Sequence, residues 1–554
     1  MTPEQLSRTI SDILVGLVES GRISLDGGAP SEVRVERPGK KEHGDYATNI
    51  ALQLGKRAGM APRELAGLLA EDLTGTVGIA GVEIAGPGFI NVRVEAAAQG
   101  EVAGQIVEAG RAYGRSTAMS GETVDLEFIS ANPTGPLHLG HTRWAAVGDA
   151  LARVLEAAGA RVAREFYSND RGSQMDKFAA SIMAVAHGRP VPDDGYQGAY
   201  VHDLAEQIVA DRPDIVRLPE SEQLTDFREE GYRRQLREQK QQLEAFRTSF
   251  DVWCSERSLY ETGKVERSIA KLRDAGHLFE QDGALWMRTT DFGDDRDRVL
   301  VRTNGEFTYF AADTAYYVDK RERGFERCIY LLGADHHGYV RRLEAMVACA
   351  GDDPERNIEV LIGQLVKVLR GGQEVRLSKR AGTLVTLQEL VDLIGVDALR
   401  YTLCRFPVDS PLTVDVDAVT RQSADNPVFY VQYAHARLAS ILRNATDLGV
   451  APAGGDFDPA LLDHEREGDL LRALAEFPRV VAQAAQLREP HRVARYLESA
   501  AATFHRFYDE CRVLPRGDEQ ATPLHAARLR LVDATRVVVA NGLGLLGVSA
   551  PDRM

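Results

Sequence analysis

The chain has 554 residues, 44% of them hydrophobic, and carries 66 Lys and Arg against 82 Asp and Glu for a net charge of −16. Such a length holds three or four domains with ample apolar content for their cores, and the acidic balance excludes a global basic field, so any nucleic acid must be held by local patches. The five cysteines form no Cys-x-x-Cys pair, which argues against a zinc ribbon or a disulfide framework and for a reducing cytoplasm; no apolar run is long enough to span a bilayer.

In chain order, Thr2 and Gln5 set a capping box for an amphipathic helix through Leu6, Ile10, Ile13, Leu14 and Leu17. This start lacks the cationic and apolar regions of a signal peptide. Residues 1 to about 115 read as a separate α+β module, with a helical stretch at Leu52 and Leu54, a strand over Gly88–Val94, and a basic edge of Arg34, Arg37, Lys40 and Lys41. A Gly/Ala/Ser-rich joint over 109–121 leads into the next part. There Val124-Asp-Leu-Glu-Phe128 alternates apolar and polar residues, predicting a strand with one face buried. Trp144, Val147, Leu151, Val154 and Ala158 then fall at helical spacing, with Gly159 as the stop.

Between strand and helix lies Ser130-Ala-Asn-Pro-Thr-Gly-Pro-Leu-His-Leu-Gly-His141, a turn at the edge where α/β sheets bind ligands. Pro133 and Pro136 stiffen it, while Gly135 and Gly140 remove side chains that would block a close ligand. His138 and His141 fall near the first helical turn, where free N–H groups and the dipole favour phosphate. Two imidazoles there can donate to phosphate oxygens as charge builds. Further on, Arg161–Tyr167 reads as a second strand ending in Ser168-Asn-Asp-Arg-Gly-Ser-Gln174, and about 178–295 as a mostly helical, charged insertion. The sheet is expected to resume at Arg298–Arg302 and Glu306–Phe310, then through Cys328–Leu332 and Ile358–Ile362. Val375-Arg-Leu-Ser-Lys-Arg-Ala-Gly-Thr383 supplies a cationic loop suited to a triphosphate, with Arg376, Ser378 and Lys379. Beyond about 390 the pattern is almost wholly helical. Gly542-Leu-Gly-Leu-Leu-Gly547 matches a dinucleotide fingerprint by spacing only, since no βαβ unit fits around it.

The proline–glycine turn with its two histidines resembles the HIGH motif of class I aminoacyl-tRNA synthetases, in the wording of arginyl-tRNA synthetases, and Arg376-Leu-Ser-Lys-Arg380 resembles their KMSKS loop, with Arg376 in place of the first lysine. His-Gly-Asp-Tyr-Ala-Thr-Asn49 is similar to that family's additional N-terminal domain, and Val396-Asp-Ala-Leu-Arg400 to its DALR domain. The resemblance implies a Rossmann-like, doubly wound parallel sheet over 116–390 carrying the 178–295 insertion, an N-terminal α+β domain over 1–115, and an all-α anticodon-binding domain over 391–554. It implies catalysis by His138, His141 and Lys379, and an ATP site of Pro133, Gly135, His138, Gly140, His141, Arg376, Ser378 and Lys379. Arginine, with a guanidinium, an ammonium and a carboxylate, needs acids and neutral donors together; the family's positions fall on Glu127, Asn132, Tyr309, Asp313 and His336. Contacts to tRNA are expected from Tyr46, Asn49, Tyr430, Tyr433, Arg437 and Met554. ATP is then a substrate, Mg²⁺ accompanies it, no structural metal is expected, and the chain is expected to be a cytoplasmic monomer. Two other readings stand beside this one: a class I synthetase for another amino acid, and a non-catalytic tRNA-binding paralogue.

Overall fold

The computed structural model describes residues 1–375, 385–450 and 457–554. At its centre lies a parallel sheet of β1 (Thr123–Glu127), β2 (Arg161–Ser168), β3 (Val252–Ser255), β4 (Arg327–Gly333) and β5 (Ile358–Gly363), in the order β5-β4-β1-β2-β3. The chain winds outward from β1 through β2 and β3, then returns to add β4 and β5 on the other side. The reversal falls between β1 and β4, where a doubly wound sheet opens a crevice at its carboxyl edge.

β1 is buried on both faces, not on one as its alternation suggested, because helices cover the sheet on either side. Asp125 and Glu127 therefore lie inside and need partners. Lys320, fully buried, stands 2.9 Å from Asp125 and 2.7 Å from Glu127, and Arg323 lies 2.7 Å from Glu165 on β2. Three acids thus face two cations. Burial pushes the Asp125 carboxyl up, Lys320 draws it down, and a hydrogen bond shared with Glu165 raises it again.

Several expectations need correction. β3 lies inside the span assigned to the insertion, whose long helix ends earlier, at Glu220–Ala245. Arg298–Val301 does not rejoin the parallel sheet but closes a separate antiparallel meander with Leu278–Gln281 and Ala284–Met287. Glu306–Phe310 forms only a bridge through Phe307 before the helix Tyr309–Glu322 begins. The part beyond 390 contains a strand, Leu412–Asp415, paired with Val366–Arg370. The helix Ala96–Ala109 packs against the C-terminal helices Glu465–Ala475 and Pro523–Leu545, so the N-terminal unit's own core ends near Val94.

The helix that follows β1, Leu139–Ala157, is clamped from two directions. Arg143 donates to the carbonyls of Gln364, Pro407 and Ser410. Arg400, with no solvent exposure, bonds Asp149 Oδ2 at 2.5 Å and also donates to the carbonyls of Phe246, Arg247 and Leu546. Gly547 lies so close that a Cβ there would sit 2.2 Å from the guanidinium. Arg400→Met roughly keeps the volume and leaves Asp149 with Arg153 at 2.8 Å and Arg164 at 3.7 Å, but empties the buried site between the carbonyls. We expect a loss of about 3–5 kcal/mol, the scale of a buried pair losing one partner, read by chemical unfolding followed through tryptophan fluorescence.

Candidate active site

Where the chain leaves β1, Ile129 (φ 73°) and Ser130 (φ 46°) adopt left-handed backbone, which costs a non-glycine residue about 1–2 kcal/mol each. Ser130 Oγ holds the bend by donating to Glu127 at 2.8 Å and accepting from the N–H of Tyr167. Asn132 then donates to Gln174 at 2.5 Å, joining the turn to the segment beyond β2. That segment is anchored by Asp170, whose carboxylate accepts from Ser255 Oγ and the N–H of Arg257.

His138 is the N-cap of the following helix. Its Nδ1 accepts from the N–H of Gly140 at 3.1 Å, and His141 Nδ1 accepts from the N–H of His138 at 3.3 Å. This is a reciprocal capping box built from two imidazoles. With both Nδ1 atoms acting as acceptors, the proton of each ring resides on Nε2, the free donor. The rings stack with centroids 3.7 Å apart. Burial lowers the pKa of His138; burial, then the neighbouring His138, brings His141 down to about 3. The pair is neutral at physiological pH. Each ring therefore presents a neutral Nε2–H as its free donor. A Cβ at Gly140 would lie 3.1 Å from the His138 ring and press on the cap. Ser130, Asn132, Gly135, His138, His141 and Gln174 face one cavity of about 580 Å³, and Pro133 is buried within the turn beside it.

Arg376, Ser378 and Lys379 lie outside the described residues. Both flanks of their segment are anchored: the N–H of Val375 donates to Val368, and Leu139 and Leu387 exchange hydrogen bonds with Val385 and Leu137. The chain therefore emerges from this segment directly against the histidine turn.

The acids expected to hold a cationic side chain divide into two roles. Glu127 is 7% exposed and bonded to Lys320 and Ser130, so it is already neutralised. Asp313 forms no ion pair among the described residues, though the charge of Arg342 acts on it at longer range. It accepts a hydrogen bond from Tyr339 at 2.7 Å, and burial, opposed by that bond, raises its carboxyl to about 6. Tyr309, one helical turn from Asp313, is 65% exposed, and the hydroxyl on the Asp313 carboxylate belongs to Tyr339. His336 is exposed, 3.5 Å from Asp335, in the same short 3₁₀ segment as Tyr339.

The surfaces expected to meet a polynucleotide are also mixed. Tyr46 is a core residue, 1% exposed, and its side chain is no surface contact. Asn49 instead faces a cavity of about 340 Å³ with Arg34, Arg37, Phe89 and Asn91. Phe89 is 42% exposed, and the buried Asn91 Nδ2 has no partner among the described residues. The Lys41 side chain lies outside the described residues. On the helix Pro427–Asp447, Tyr433 stacks on Phe429, and Arg437 lies over both Tyr433 and Tyr508 at 5.2 and 5.1 Å. Tyr430 is half-buried against His505, and Met554 is exposed.

Three family models match the chain in order: "Arginyl tRNA synthetase N terminal domain" over residues 4–94, "tRNA synthetases class I (R), catalytic domain" over 103–400, and "DALR anticodon binding domain" over 431–554. Relatives named arginine–tRNA ligase from Kineococcus radiotolerans and Frankia alni are each 57% identical, covering all of both chains. The Thermus thermophilus arginyl-tRNA synthetase structure superposes with a TM-score of 0.75 at 23% identity, covering 99% of this chain and all of that one, and shows a shared fold.

The histidine pair yields a pH signature. Unfolded imidazoles take up protons near pH 6.5 that the folded, lowered ones refuse, so this contribution to stability is full above about pH 6.5 and declines as pH falls toward 3. In histidine-selective NMR, His141 should show no titration between about pH 5 and 8. A midpoint near 6.5 would mean the Nδ1 caps do not hold in solution.

Proposed function

The chain belongs to the class I arginyl-tRNA synthetases, and we propose that it makes arginyl-adenylate in the crevice beside the histidine turn, with His138, His141 and Lys379 holding phosphate charge and Asp313 holding the guanidinium. Its reaction is the ATP-driven ligation of arginine to tRNA. In the first step the arginine carboxylate attacks the α-phosphorus in line and pyrophosphate leaves; in the second the terminal 2′-hydroxyl of tRNA attacks the adenylate carbonyl. Two neutral imidazoles at a helix N-terminus support this reading, because their Nε2–H groups are fixed before charge develops on the phosphate. Asn132, fixed by Gln174, offers a neutral donor or acceptor to the amino acid. ATP is a substrate, and the Mg²⁺ that accompanies it supplies charge neutralisation on the phosphates. The site's described residues contribute neutral donors to that end of the crevice.

For tRNA, the Asn49 cavity and the Phe429–Tyr433–Arg437 stack fit a polyanion with exposed bases, since aromatic faces accept stacking and arginines accept phosphate. The domain division is proposed with the N-terminal unit ending near Val94. We read the chain as a cytoplasmic monomer, which sedimentation at working concentration tests; among the described residues no helix is long and apolar enough to cross a membrane.

Changing His138, His141 or Lys379 to alanine should each lower kcat for arginine-dependent ATP–pyrophosphate exchange, measured with tRNA present, by roughly 10²–10³. Near wild-type turnover in all three would sink the assignment. Asp313 governs selectivity. Citrulline has the shape of arginine without its charge and would leave the buried carboxylate unpaired. Asp313→Asn should cost about 3 kcal/mol or more in kcat/KM for arginine and much less for citrulline. An unchanged ratio between the two amino acids would place the guanidinium elsewhere.

A further inference from the structure

The turn that carries the histidines is held from outside by the helical insertion. Asn132-Pro-Thr-Gly-Pro136 contains two residues without an N–H, so few local donors are left for its carbonyls. Gln239, on the long helix Glu220–Ala245 and 0% exposed, donates Nε2 to Asn132 O at 3.1 Å and to Gly135 O at 2.9 Å. Tyr200, on the helix Ala199–Asp211, donates its hydroxyl to Thr134 O at 2.9 Å. Its ring stands against Gly135, where a Cβ would come within 3.4 Å of the hydroxyl. Three carbonyls of one short turn thus take their donors from the insertion.

The helix that provides Gln239 is strongly charged on its outer face, yet Gln235, Gln239 and Leu243 run down its inner face at four-residue spacing, all buried. An apolar residue at 239 would satisfy packing equally well. An amide there answers a different need, the two carbonyls opposite. Glutamate could not replace it, because an ionised carboxylate accepts only and would set its oxygens against both carbonyls.

We propose that Gln239, seconded by Tyr200, is a positioning residue for the ATP half of the reaction: it sets the Asn132–Gly135 turn from the insertion and thereby fixes how closely the backbone at Gly135 and the donors of His138 and His141 approach the triphosphate. The proposal rests on the reading of this crevice as the adenylate-forming site. It assigns the insertion a role in ATP handling, with no contact between Gln239 and substrate.

Gln239→Met is the informative variant. It keeps length and roughly the volume, removes Gln239 Oε1, which has no partner among the described residues, and takes the donor away from the carbonyls of Asn132 and Gly135. In the full-length protein, pyrophosphate exchange with tRNA, normalised to active sites by adenylate burst, should show KM for ATP raised and kcat lowered, each roughly tenfold. KM for arginine should rise less than KM for ATP, because the Asn132 side chain keeps its bond to Gln174, and the melting temperature should fall by no more than a few degrees. Gln239→Glu should be worse than Gln239→Met in both ATP parameters. Tyr200→Phe should show a smaller shift of the same kind, and the double variant should be non-additive, because both residues hold one turn. ATP parameters within about twofold of wild type in Gln239→Met would overturn the proposal. So would equal rises in KM for ATP and arginine, which would mark general loosening of the domain. A wild-type chain without arginine-dependent exchange would remove the reading of the crevice itself, and the proposal with it.

Discussion

A guanidinium with no access to water holds this molecule in register. Arg400 must have its donors satisfied by protein, and the groups that satisfy it come from the histidine helix through Asp149, from the end of the insertion through Phe246 and Arg247, and from the C-terminal turn through Leu546. Removing any of these would leave a buried donor or charge unpaired, at a cost of several kcal/mol. The catalytic body, the insertion and the helical domain are therefore fixed around one side chain. Since the helix pinned at Asp149 presents His138 and His141 at its other end, the donors of the site inherit that register.

The acids near the crevice show how burial separates structural from functional charge. Asp125, Glu127 and Glu165 are matched by Lys320 and Arg323, with Asp319 also paired to Arg323. Asp313 is enclosed as well, but its partner is the neutral hydroxyl of Tyr339, and its carboxyl stays raised. Among the described residues Asp313 has no ion-paired cation, only the longer-range charge of Arg342; in the proposed reading the substrate's guanidinium supplies the close cation that the neighbouring trio already has.

Much of this was legible locally. The strand–turn–helix around Ser130–His141, the Thr2/Gln5 cap, the stop at Gly159 and the strands β2, β4 and β5 all follow from short-range patterns, and the resemblance carried by the two motifs led to the right family. What failed was everything that depends on which partner a segment meets. Alternation marked Arg298–Val301 as a strand but could not say which sheet it joins. β3 is four residues long and follows a charged helix, so no period announces it. Tyr309 sits at the right spacing from Asp313, yet the hydroxyl on the carboxylate comes from Tyr339, beyond an intervening strand. Tyr46 and Glu127 read as polar and available; one is packed into the N-terminal core and the other is spent on Lys320. Gln239 lay unremarked in a charged run because its role exists only opposite two carbonyls a hundred residues earlier in the chain.

The same guanidinium has a consequence for how the chain is made. Arg400 bridges Asp149, 251 residues before it, and Leu546, 146 residues after it. A chain growing at roughly 5–20 residues per second releases those two ends tens of seconds apart. Throughout that interval the histidine helix has its strand and its local caps, but its Asp149 anchor lacks the last of the carbonyls that Arg400 requires. Synthesis thus separates formation of the ligand-binding turn from its locking into register, and the nascent polypeptide passes through a long period in which the motif is present and its support incomplete.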